Sequence, residues 1–154
     1  LPRATAQGND LEARLQMLVA SSMGATAFQR GLGAMHALAH PLGALYDAHH
    51  GLLNAVLMPY VLMANRAVIN EPMERLGRYL GLAQPGFGAV LDWVLDLRAT
   101  VGIPLTLAEI GIDDAQLERV GQMAEVDPSA GTNPVPFNAQ QYSQLLLKAL
   151  NGEL

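Results

Sequence analysis

Apolar residues recur at three- and four-residue spacing along almost the whole chain, and nowhere does a two-residue alternation persist. The pattern predicts helices and no strands. In "NDLEARLQMLVASS", Leu11, Leu15, Leu18 and Val19 fall on one face, and Asn9 and Glu12 read as a capping-box variant at its start. Gly24, Gly31 and Gly33 punctuate the next stretch. Ala34 to His40 reads as a second helix that Pro41 and Gly43 weaken or bend. A third begins near His50, with Leu53, Val56, Leu57, Tyr60 and Val61 as its apolar stripe and Pro59 as a kink. Pro72 suits the first position of a fourth, with Met73, Leu76 and Leu80 inward and Gly81 as its stop. Phe87 to Val101 repeats the scheme through Val90, Leu91, Val94 and Leu97, and "GIP" ends it. Thr106 to Glu109 is a Thr-x-x-Glu box on a short helix, and Asp113 is placed to cap the next. "DPSAGTNPVPFN" has loop composition. A last helix from about Asn138 turns Tyr142, Leu145, Leu146 and Ala149 to one side. The expectation is one all-α domain, residues 1–154, a bundle of about seven helices.

Composition changes this picture in one respect. Hydrophobic residues make up 51% and charged residues only 15%, against about a quarter charged in an ordinary soluble domain. Either the domain buries unusually much, or part of its surface faces another domain. The net charge of −5, with Lys148 as the single lysine, offers no basic patch for nucleic acid. The absence of Cys excludes a disulfide frame, a thiolate metal site and a Cys nucleophile. The longest apolar run, Ala55 to Ala64, is ten residues with a proline inside, too short to span a bilayer. The opening "LPRATAQGND" has no signal-peptide core and no initiator Met. We expect a cytoplasmic chain that begins inside a longer protein.

Chemistry concentrates in "GAMHALAHPLGALYDAHHG". All four histidines, His36, His40, His49 and His50, lie there. His36 and His40 are four apart and would share a helix face about 5–6 Å apart, a chelating interval. On an unbroken helix His50 would sit about 21 Å beyond His36, too far for one ion with bonds of about 2.1 Å. Those two can meet only if the chain bends back between them. Spacing leaves metal binding and acid–base work both open. His49 reads as a surface residue. Met58, Met63 and Met73 read as core filler, Trp93 as packing or interface, and Asp92, Asp96, Glu118 and Glu125 as solvated helix faces.

The same segment resembles the C-terminal helical domain of the iron-containing (group III) alcohol dehydrogenases. Gly33, His36, His40, Pro41, Leu42, Gly43, Tyr46, His50, Gly51, Asn54, Ala55, Pro59 and Asn65 match its pattern. So do "EAR" at Glu12–Arg14, "GIP" at Gly102–Pro104, "LAEIGI" and "TNP" at Thr132–Pro134, which extends the likeness over nearly the whole chain. His49 stands where the family usually has Pro. The resemblance implies a divalent metal, Fe²⁺ or Zn²⁺, in a cleft between this domain and an N-terminal domain that binds NAD or NADP. It implies four ligands: an Asp and a His four apart on an early helix of the helical half, then His36 and His50. It places His40 near the nicotinamide, assisting proton transfer, and an alcohol or aldehyde as substrate.

The upstream Asp-x-x-x-His pair is absent, since Asp10 is followed by Arg14, and no strand leads into a Gly-rich turn and helix. The expectation is therefore a fragment lacking the nucleotide-binding domain, inactive alone, binding metal weakly or not at all, and prone to form homo-oligomers through uncovered surface. Two other readings stay open: a non-catalytic helical scaffold or dimerisation module that kept its histidines as core residues, and a keto-acid (maleylacetate-type) reductase of the same superfamily.

Overall fold

One helix organises the molecule. In the computed structural model, which describes all 154 residues, α4 runs unbroken from His50 to Tyr79, about 45 Å at the usual rise. Around it lie α1 (Pro2–Ala6), α2 (Leu11–Ala27), α3 (Ala34–Tyr46), α5 (Phe87–Val101), α6 (Leu117–Glu125) and α7 (Ala139–Asn151), with single 3₁₀ turns at Phe28–Arg30, Ala108–Ile110 and Ala130–Thr132. There are no strands. The all-α expectation holds, with seven helices divided differently from the sequence reading.

The first half of α4 packs with α3, α6 and α7 in the main core, where Leu38, Leu42, Leu53, Leu57, Val120 and Tyr142 are fully enclosed. The stripe read from its sequence is buried throughout: Leu53, Val56, Leu57, Tyr60 and Val61. The second half meets α5 in a smaller cluster of Met73, Phe87 and Val90. By length and composition α4 would also suit a membrane span, which the ten-residue apolar run did not suggest. Here its apolar side is taken up by the neighbouring helices.

Pro72 corrects the sequence reading. It does not open a helix, because α4 passes through it as it does through Pro59, and α3 continues through Pro41 and Gly43 to Tyr46. Pro41 and Pro59 are buried, so their packing offsets the lost backbone bond. Of the residues expected inward after Pro72, Met73 is buried but Leu76 is exposed. Asp113 does not cap α6, whose N-cap is Gln116. The Asp113 carboxylate instead accepts from the Tyr46 hydroxyl at 2.8 Å and from the Ala115 backbone N–H. Other ends follow the sequence: Thr106 and Glu109 bond reciprocally, and Asn138 and Gln141 form a complete capping box on α7. The first cap is Asp10 rather than Asn9, accepting from the Ala13 N–H at 2.9 Å.

The largest departure is α2. Its apolar face packs on nothing: Leu11, Leu15, Leu18, Val19 and Met23 are all exposed, and only Ala13 of the helix is buried. An Arg3 guanidinium shared by Asp10 and Glu12 ties α2 to α1. With 31 of 154 residues buried, the low charge fraction does not reflect exceptional burial. It reflects apolar surface left open.

Candidate functional site

The chain bends back between His36 and His50, and it does so at Asp47–His49, in the "YDAHHG" segment. Asp47 ends α3 in the left-handed region at φ 52°, the one non-glycine residue with positive φ. His49 then caps α4, its Nδ1 accepting from the Leu52 N–H at 3.2 Å. The reversal sets the start of α4 beside α3. His36 and His50, fourteen positions apart, have ring centroids 5.2 Å apart. His40 joins them, 5.9 Å from His36 and stacked 5.5 Å from His50. His49 is exposed and outside the trio, as its sequence position suggested. His36 is half-buried, while His40 and His50 are exposed. The trio therefore lies at the surface of this domain, with His36 as its innermost member.

Each imidazole has a distinct environment. Burial, then the neighbouring rings of His50 and His40, hold the His36 imidazole below its usual value. The Asp127 charge and then the Leu32 carbonyl pull the other way, and His36 Nδ1 is buried with no hydrogen-bond partner. The Phe28 ring stands edge-on to it at 5.9 Å. His50 Nε2 meets the Asn54 side-chain nitrogen at 3.0 Å; that amide also donates to the His50 carbonyl. The Asn54 oxygen is buried and unpartnered. His40 Nδ1 lies 2.8 Å from an Asp127 carboxylate oxygen. Burial pushes the Asp127 carboxyl up, but the hydrogen bonds from His40 and from the Ser129 backbone outweigh it and hold it below the usual range.

Sequence reasoning missed the loop that holds the helix carrying two of these rings. Thr132 Oγ1 accepts from the Leu32 and Gly33 N–H groups at 3.2 and 3.3 Å, and Asn133 Oδ1 accepts from Ala34 N–H at 3.0 Å. The Gly33 and Ala34 groups are among the unpaired donors at the start of α3, and Leu32 precedes its cap. Asn133 is fixed in turn by a two-way amide bond with buried Asn65. The approach is close enough that a Cβ on Gly31 would fall 2.4 Å from the Thr132 side chain, at a φ of +101°. Only glycine fits there. "TNP" entered the sequence reading as a motif, but its bonding partners lie about a hundred positions upstream.

Two imidazoles bonded at about 2.1 Å to one tetrahedral ion have ring centres about 5 Å apart, which the His36–His50 spacing matches. The donor set is half of one, because no group of three or more His, Asp or Glu side chains is placed to hold an ion. The pair alone would offer a divalent metal two of the donors it takes.

A strandless bundle with a rim of converging imidazoles and a partial donor set is a histidine-bearing helical domain, the class that the fold and the site define. The model of the Fe-containing alcohol dehydrogenase family, C-terminal, matches residues 1–150, and the chain belongs to that family. It is 38% identical to a 4-hydroxybutyrate dehydrogenase of Cupriavidus necator, over 97% of this chain and 41% of that protein. It is 33% identical to a 1,3-propanediol dehydrogenase of Citrobacter freundii, over 97% and 40%. Among solved structures, a 1,3-propanediol oxidoreductase superposes with a TM-score of 0.91 at 31% identity, over 97% of this chain and 41% of that one. An alcohol dehydrogenase from Oenococcus oeni gives 0.81 at 30%, over 96% and 40%. The chain thus spans about two fifths of the length of the relatives it matches.

Proposed function

We propose that this chain is the metal-holding helical domain of a divalent-metal- and NAD(P)-dependent alcohol dehydrogenase that interconverts an alcohol and an aldehyde or ketone by hydride transfer. The observation that carries the reading is the approach of His36 and His50 to 5.2 Å between ring centroids, across the reversal between α3 and α4 that the spacing required. His36 and His50 would hold the metal, Fe²⁺ or Zn²⁺, as neutral imidazole donors. Bound there, the metal supplies Lewis-acid polarisation of the substrate oxygen. The depressed basicity of His36 keeps that ring neutral, the form a donor needs. His40 is the proton-handling group beside the metal pair.

The remaining donors come from an earlier helix of the helical half, upstream of this chain, and the nucleotide pocket from a further domain of the parent protein. Two findings support this: the chain's coverage of its relatives and the bare apolar face of α2. The test joins this chain to the missing upstream helices and nucleotide-binding domain and measures bound metal by elemental analysis and alcohol oxidation by nicotinamide reduction. His36→Ala and His50→Ala are each expected to lose the metal and the turnover together, while the isolated chain shows no sub-micromolar affinity for Fe²⁺ or Zn²⁺ by calorimetry. Variants that keep a full complement of metal would remove both histidines from the ligand set.

A further inference from the structure

Asp127 is the one carboxylate that reaches the imidazole trio, and it does not stand there by chance of a flexible surface. Its side chain is only 12% exposed, against 41% for His40. One of its oxygens accepts from Ser129 N–H at 2.8 Å, and the other meets His40 Nδ1 at 2.8 Å. Its own carbonyl accepts from Ala130 N–H at 2.9 Å. Shortly after it in sequence, Thr132 and Asn133 bind the three N–H groups at the start of the helix on which His40 rides. Carboxylate and imidazole thus belong to two segments locked to each other by bonds that do not involve the pair itself.

A carboxylate can only accept, so the proton of a neutral His40 must sit on Nδ1. Nε2 is then bare, on the side of the ring away from Asp127, and it has no hydrogen-bond partner. We propose that Asp127 is a positioning residue for His40: it fixes the Nδ1–H tautomer and the ring orientation, and so presents the Nε2 lone pair for proton transfer. The role of His40 rests on the proposed function; the tautomer and its cause do not, because they are properties of this chain without any metal.

The experiment is ¹⁵N–¹H correlation spectroscopy of the histidine rings of the 154-residue chain, recorded in mildly alkaline buffer. His40 is assigned from the spectrum of His40→Gln. The expected result is a pyrrole-type Nδ1 and a pyridine-type Nε2. In Asp127→Asn, which keeps an oxygen for the Ser129 N–H, that pattern is lost toward Nε2–H, and carbethoxylation of His40 by diethyl pyrocarbonate slows by a measurable factor. A protonated Nε2 in the unaltered chain overturns the proposal without recourse to any variant. So does an Asp127→Asn spectrum identical to the parent's, with circular dichroism showing the bundle intact. If metal binding proves independent of His36 and His50 while this tautomer pattern stands, it is the metal reading that falls and not the assignment of Asp127.

Discussion

Tyr142 carries its hydroxyl into the centre of the main core, fully enclosed and without a hydrogen-bond partner. Its ring is well used, edge-on to Phe137 at 5.6 Å. Burial, reinforced by the negative charges of Asp127 and Glu125, pushes the phenol up to about 12 from 10.0. The sign depends on which state holds its proton longer. Above pH 10 the unfolded chain ionises this group first, so its contribution to stability is complete below about pH 10 and is lost as pH rises toward about 12. Tyr142→Phe should remove that part of the alkaline sensitivity, on the order of 2 kcal/mol by the upper end of the window. At neutral pH it should be neutral or mildly stabilising, because it deletes an unsatisfied buried group. Denaturant unfolding of both proteins across the alkaline range checks it. An unchanged alkaline slope would mean that the hydroxyl finds water.

At the scale of the element, Pro72 sits inside α4 on an exposed turn, where it removes a backbone bond with no burial to offset the loss. Pro72→Ala should therefore raise stability by on the order of 1–3 kcal/mol, seen as an increase of several degrees in Tm. A fall in Tm would show that the proline shapes a bend the helix needs. The same residue marks how far the sequence could be read. Periodicity located α5 and α7 and the apolar stripe of α4, because those patterns depend on neighbours three and four positions away. Pro72 reads locally as a helix start, since propensity cannot register that α4 is already held by the helices packed on its first half. Asp113 looked like a cap and became a partner of Tyr46, 67 positions away. The site divides along the same line. The histidine cluster and the need for a reversal were visible in the spacing; the Asp127–His40 pair, separated by 87 positions, leaves no local mark, and the bonds of Thr132 and Asn133 to the start of α3 leave none either.

For the whole molecule, the bare face of α2 governs behaviour in solution. Leu11, Leu15, Leu18 and Met23 are 58–79% exposed, and Phe28 extends the patch to the edge of the imidazole trio. Contiguous apolar surface of this kind drives association. The 154-residue chain should sediment as dimers or larger species at high concentration, and Leu15→Gln with Leu18→Gln should shift it toward monomer. Since neither side chain is buried, the double variant should keep the helical content of the parent. A parent chain that is monomeric at high concentration would show the face to be tolerated by water.

The bonds from Thr132 and Asn133 back to Leu32, Gly33 and Ala34 also set an order of events during synthesis. The segment bearing the imidazoles leaves the ribosome roughly a hundred residues before the loop that fastens it. A nascent or prematurely terminated product ending short of Asp127 would carry every histidine of the chain and still lack the means to hold them in register.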